Sequence, residues 1–296
     1  MQESTASPNY YPLLIVRDPR FNISQLHQYH LAIQVSDSHL KVSCTEPSTR
    51  KCLLLVAYQL APSQAHRRVR TLEQIYRDHP LLSAESWAAV TLAIENQQYT
   101  LVPERLFSAD KAVQYLQFAC PRTYHTVQHF VHPTLNVATV FAAEPSLLHW
   151  FRKTYPSPPL RTIHQASSLL EGVWSYFQER RIDITPKIFA FVQPTHLHIT
   201  AMQRGNLLYY NRFQYANSDE LLHYILIVMR TLKLDTSFHE VILGGDIAKN
   251  SLAYRKARNY IRNLTLSSPP PHLRFRRAFK KKLIASHFDV LSAHLC

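Results

Sequence analysis

Three groups of residues in this 296-residue chain have the types and spacing that chemistry needs. The run Leu243-Gly244-Gly245-Asp246 closes a short apolar stretch with two glycines and a carboxylate. Glycine lets backbone N–H groups come close to an anion, and a strand-terminal Gly-Gly leading into a helix can take a phosphate or a purine edge. The segment Val35-Ser36-Asp37-Ser38-His39 places an aspartate at a tight turn. The third group is cationic. Residues 251–296 hold ten Lys/Arg against one acid, Asp289, and so carry nine of the thirteen net positive charges. Its densest part is Arg274, Arg276, Arg277, Lys280, Lys281 and Lys282, with Phe275 and Phe279 between the cations. A patch of this kind attracts polyanions in a salt-dependent way, and nucleic acid is the partner class it suggests.

Other constellations are weaker. The spacing Ser108-x-x-Lys111 matches serine–lysine hydrolases, but their companion motifs are missing from the sequence, and Ser108 reads as a helix cap. His196 and His198 share one strand face, and His125, His129 and His132 cluster in another segment. Zinc takes three or four converging ligands, and no cysteine or acid is spaced to complete either set, so no metal site is expected. Tyr209, Tyr210, Phe213 and Tyr215 read as strand packing rather than a base-stacking platform. The sequence has no GxSxG, Walker A or HExxH motif. Cys44, Cys52, Cys120 and Cys296 lack metal or redox spacing; Cys44 and Cys52 read as small buried thiols of a reducing compartment.

The elements that position these residues follow a repeat. Ala32–Leu60 resembles Phe189–Tyr215, with His39-Leu40 falling on His196-Leu197; each copy reads as strand, turn, strand, turn, strand, followed by a helix. In the first half, His66–His79 spaces Val69, Leu72, Ile75 and Tyr76 as one helical stripe. Trp87–Val102 reads as a strand pair turned at Asn96-Gln97, then a helix to about Ala119, strands near 124–131 and 136–141, and a helix from Pro145 to about Lys153. The proline-rich Thr154–Arg161 reads as a stiff crossover between halves. In the second half a helix from Ser168 to Arg180 carries a capping box, Ser168-x-x-Glu171. After the repeat come a helix over Ser218–Lys233, a buried strand Val241–Leu243, a helix from about Ser251 to Arg262, an exposed loop over Ser267–Pro271 and a short terminal helix. The sequence places a flexible tail at 1–10, a first lobe at 11–160 and a second lobe, with the basic segment, at 161–296. No signal sequence and no apolar run of about 18 residues is present, which points to a cytoplasmic protein without membrane insertion.

The block from Asn206 to Ile247, together with YTLVPERLF and the helix Tyr254–Ile261, resembles a family of Bacteroidota proteins known as a domain of unknown function with an actin-like ATPase fold. The resemblance implies an α/β protein with two ribonuclease-H-like lobes facing across a cleft. It also implies distant kinship of fold with actin-like proteins of type IV pilus assembly, cell division and type II secretion, with sugar kinases and with chaperone ATPases. Active members place an aspartate and glycines in the first hairpin of each lobe, around phosphate and metal. Here the first hairpin has Asp37 and no glycine, and the second, Val192-Gln193-Pro194-Thr195-His196, has neither acid nor glycine, while Pro194 removes a backbone donor. The whole chain has four glycines where ordinary usage near 7% gives about twenty. The leading expectation is therefore a non-catalytic scaffold that binds a protein partner and needs no cofactor. The alternatives are ATP and magnesium in a variant site built from Asp37, Gly244, Gly245 and Asp246, or nucleic-acid binding through the C-terminal cations.

Overall fold

The computed structural model describes residues 9–61, 65–120, 126–179 and 184–296. Packing divides the chain into two units. The first contains the residues up to Ser168, with Arg274–Ala278 and Ala293–Cys296; the second contains Leu169–Leu273 and Phe279–Ser292. The tail expected at 1–10 lies outside the described residues except for Asn9 and Tyr10.

The first unit runs through β1 (Tyr10–Arg17), β2 (His30–Val35), β3 (His39–Glu46), β4 (Lys51–Leu60), α1 (Ala65–Asp78), β5 (Ala89–Ile94), β6 (Tyr99–Pro103), α2 (Ala112–Ala119), β7 (Thr126–Val131), β8 (Val137–Ala143), α3 (Pro145–Thr154) and β9 (Arg161–His164). Six strands form one sheet in the order β1-β4-β3-β2-β5-β9. The strands β2, β3 and β4 are an antiparallel meander, while β5 joins β2 and β9 joins β5 in parallel. All six residues of β2 are buried, including His30 and Gln34, as are most of β4, so these strands lie inside the sheet. Helix α1 buries Leu72, Ile75 and Tyr76 against α3, where Tyr76 meets Trp150 edge-on at 4.8 Å. Each such side chain stabilises the unit by about 1.5–3 kcal/mol on burial.

Three expectations change here. The sequence left β1 unassigned, yet it pairs antiparallel with β4 along its length. The strand pair expected over Trp87–Val102 is not one hairpin: β6 instead pairs with β8 in a separate three-stranded sheet, β6-β8-β7, packed on α2. The cause is local. Asn96 donates from its side-chain amide to the Ala142 carbonyl and accepts the Gln98 N–H, both at 2.8 Å, which turns the chain towards β8. Nearly all of β5 is buried, and it needs partners on both edges, which β2 and β9 supply. The link Thr154–Arg161 therefore leads into β9 of the same sheet and is not a crossover between halves.

The second unit is entered along α4 (Gln165–Gln178). It continues through β10 (Lys187–Val192), β11 (His196–Gln203), β12 (Asn206–Gln214), α5 (Ser218–Thr231), β13 (Val241–Gly245), α6 (Leu252–Tyr260), β14 (Leu264–Leu266), α7 (Lys281–Ser286) and α8 (Phe288–Ser292). Its sheet has the order β12-β11-β10-β13-β14, with β13 parallel to both neighbours. Ser168 is not the cap of α4: the helix starts at Gln165, where His164 Nδ1 accepts the Ala166 N–H at 3.0 Å, and Ser168 is buried inside it. Helix α5 is capped by Asn217, whose Oδ1 accepts the N–H groups of Asp219 and Glu220 at 2.9 and 3.0 Å.

The repeat is legible atom by atom. Strands β2 and β10 have six residues each, β3 and β11 eight each. Ser36 N–H donates to the His39 carbonyl at 3.0 Å, and Gln193 N–H to that of His196 at 2.8 Å. Leu60 N–H donates to Ser38 as Tyr215 N–H does to Thr195, and Glu95 N–H to Val35 as Asp246 N–H does to Val192. No helix among the described residues is long and apolar enough to cross a membrane.

Candidate functional site

The turns at 36–38 and 193–195 join the first two strands of each repeat and are the positions to test for phosphate chemistry. A phosphate cradle needs backbone N–H groups that converge and have no other acceptor. In the first turn, the Ser36 hydroxyl oxygen accepts the N–H groups of Ser38 and His39 at 3.2 and 3.0 Å, while Ser36 N–H goes to the His39 carbonyl. Those donors are spent within the turn. Asp37 is exposed over 84% of its side chain and bonds to Arg68 Nη2 at 2.6 Å. The Arg68 side chain is buried to all but 10% and also reaches Glu144 Oε1 at 3.3 Å, at the start of α3. The Asp37 carboxylate is thus paired with a guanidinium.

The second turn is held differently. Gln193 N–H is used by His196, Pro194 has no N–H, and the Tyr215 hydroxyl donates to the Gln193 carbonyl at 2.6 Å. Beneath it, His198 shares hydrogen bonds with Gln193 Oε1 at 3.0 Å and with the Tyr210 hydroxyl at 2.9 Å. His198 is buried to 1% exposure and Gln193 to 8%. Burial pushes the Tyr215 hydroxyl pKa up, helped by the nearby Asp246 charge. One detail repeats in both turns: Ser38 Oγ meets His39 Nδ1 at 2.8 Å, and Thr195 Oγ1 meets His196 Nδ1 at 2.8 Å.

Gly244, Gly245 and Asp246 belong to the second unit and Asp37 to the first. Gly245 has φ +88°, and a Cβ there would lie 2.0 Å from the Val192 carbonyl oxygen. Its counterpart in the first unit is Ile94, opposite Val35 as Gly245 is opposite Val192. A Cβ on Gly244 would press on the Phe189 ring at 2.9 Å. Backbone and ring approach therefore account for both glycines. The pair does not open a helix directly: Ile247 N–H closes a tight turn onto the Gly245 carbonyl, and α6 starts only at Leu252, capped by Ser251 Oγ on Tyr254 N–H.

Elsewhere, Ser108 Oγ donates to the Asp110 carboxylate and caps no backbone N–H, so it is not the helix cap the sequence suggested. His132 is buried and bonded to Thr139 Oγ1 at 2.8 Å, His129 lies against Phe107, and His125 lies outside the described residues. Among the described residues no group of three or more His, Cys, Asp or Glu is placed to hold a metal ion. Cys44 and Cys52 are free, buried thiols whose pKa values burial pushes up. An open groove of about 570 Å³ is lined by Phe238, Glu240, Arg258, Arg262 and Asn263 among others. It sits at the entry of β13, opposite the carboxyl ends where open α/β sheets take ligands.

The C-terminal cations divide between the two units. Arg274, Arg276 and Arg277 lie in the first unit and Lys280, Lys281 and Lys282 in the second, all exposed. Phe279 is buried to 4% and Phe275 is half-buried, so Phe279 offers no face for a base. Sequence reasoning missed Arg68, whose signal was an arginine one turn before Leu72 on an apolar stripe, and the Gln193–His198–Tyr210 network.

These turns fall inside residues 18–264, which match the model of a family described as a protein of unknown function (DUF3822). The chain belongs to that family. No curated protein matches it. Among solved structures it is similar to a Bacteroides thetaiotaomicron protein with an actin-like ATPase fold and unknown function. That likeness has a TM-score of 0.74 at 20% identity, covering 84% of this chain and 95% of that one. It is also similar to a chain of the PilM–PilN type IV pilus biogenesis complex, with a TM-score of 0.56 at 9% identity, covering 90% and 97%. The fold of this DUF3822 member is that of the actin-like ATPases, two ribonuclease-H-like lobes built on one repeated meander.

Proposed function

We propose that this protein is a non-catalytic member of the actin-like fold, a scaffold that binds another protein. One observation carries the reading: in the first turn the Ser36 hydroxyl takes the N–H groups of Ser38 and His39, and in the second Pro194 brings no N–H at all. The residues present do not fit a magnesium-bound triphosphate. Phosphoryl transfer depends on positioned cations and phosphate cradles, and here Asp37 already faces a guanidinium. Partner binding is supported by the likeness to a chain of the PilM–PilN complex, a chain of similar fold that is part of a protein assembly. The reading is tested by capturing partners on the tagged full chain from native lysate. A protein held in fixed ratio, unaltered by ATP with magnesium, supports it. ATP hydrolysis by the purified chain, lost on substitution of Asp37, overturns it.

A further inference from the structure

Two segments far apart in sequence meet on the first unit and gather its cations. The Arg274 N–H donates to the Arg50 carbonyl at 2.6 Å and the Cys52 N–H to the Arg274 carbonyl at 3.0 Å, so the C-terminal segment extends the β3–β4 hairpin beside Lys51. Paired backbones of this kind lie about 4.8 Å apart. Arg20 grips Asp18 through Nε and Nη2 at 3.0 and 2.7 Å, and Arg276 Nε lies 4.0 Å from the same carboxylate. The acids are recessed: the Asp18 side chain has no exposure and that of Glu46 has 18%. Above them stand Arg20, Arg50, Lys51, Arg274, Arg276 and Arg277, partly or fully exposed.

We propose that this surface binds the sugar–phosphate backbone of a nucleic acid. Five of its six cations are guanidinium groups, whose planar fork matches phosphate oxygens in pairs. No large apolar side chain is exposed within 46–51 or 274–278, which favours a polyanion over a lipid surface at those segments. With Phe279 buried, recognition rests on phosphates, and strong salt dependence is its signature. On this proposal the contact surface is the hairpin with 274–277 rather than Lys280–Lys282.

The test is fluorescence anisotropy of the full chain with labelled single-stranded DNA and RNA oligonucleotides across a range of salt. Four engaged phosphates give a slope of log K against log salt near −3, about −0.7 for each. Arg50→Glu with Lys51→Glu should weaken binding about tenfold or more, and Arg274→Glu with Arg276→Glu and Arg277→Glu by more still. Lys280→Glu with Lys281→Glu and Lys282→Glu, matched in charge to the latter, should cost only a few-fold. The hairpin pair leaves 274–277 intact, so the conclusion does not depend on one variant folding. Absence of binding at low salt overturns the proposal. So does an equal loss from the Lys280–Lys282 variant, or capture by anionic vesicles or poly-glutamate with none by either oligonucleotide.

Discussion

The turns at 36–38 and 193–195 begin from the same backbone and end in different chemistry. Each has three residues, closes with the same N–H to carbonyl bond, and repeats the hydroxyl–imidazole contact of Ser38 with His39 and of Thr195 with His196. The first is satisfied by its own serine and tied through Asp37 to Arg68 on α1. The second is stiffened by proline and braced from below by His198. The neighbouring strand end differs too, Ile94 in one copy and Gly245 in the other. A duplicated frame thus keeps its hydrogen-bond skeleton while the side chains that hold each turn differ.

The largest expected effect is at Gly245. Gly245→Ala puts a Cβ against the Val192 carbonyl at positive φ and should cost about 3 kcal/mol or more in urea unfolding, while Ile94→Val at the matching position should cost about 1 kcal/mol. An alanine tolerated at Gly245 would break the comparison, leaving that glycine to serve a ligand.

Next comes pH. The copies also differ where their first strands begin: His30 is buried against Thr91, whereas Lys187 pairs with Glu240 at 3.4 Å. Burial, and secondarily the Arg161 charge, lowers the His30 pKa from 6.5 to about 4. Because the folded value lies below the unfolded one, the unfolded chain binds the extra proton first. Stability is therefore full above about pH 6.5 and falls on acidification towards about pH 4, by up to about 3 kcal/mol. Replacing His30 with glutamine should flatten that part of the profile in unfolding measured from pH 7 to 4; an unchanged slope would place the acid sensitivity elsewhere.

Smaller effects separate the ties. Arg68→Ala strands the half-buried Glu144 and should cost about 1–2 kcal/mol, against less than about 1 kcal/mol for Asp37→Ala, whose carboxylate is solvated. Smallest are Ser38→Ala and Thr195→Ala, expected near 0.5 kcal/mol each and additive in the double variant. Unequal losses would show that the shared contact is only superficially alike.

The repeat itself was readable because paired His-Leu steps and apolar strand runs survive in both copies, and periodicity placed α1, α3, α5 and β13 close to where they lie. What stayed hidden depends on distant partners. Nothing local says that Asn96 turns the chain out of one sheet into another, or that β1 returns to pair with β4. Sequence likewise cannot show that Gly245 sits at positive φ beside the Val192 carbonyl. Sequence spacing also conceals that Arg274 pairs with the backbone at Arg50 and Cys52.

A nucleotide either finds room at the turns 36–38 and 193–195 or does not. Thermal unfolding of the full chain with and without ATP and magnesium asks this directly, since a ligand at about 100 times its Kd adds about 2.7 kcal/mol. The account predicts a melting temperature unchanged to within about 1 °C. A saturable rise of about 5 °C or more that requires magnesium would contradict it.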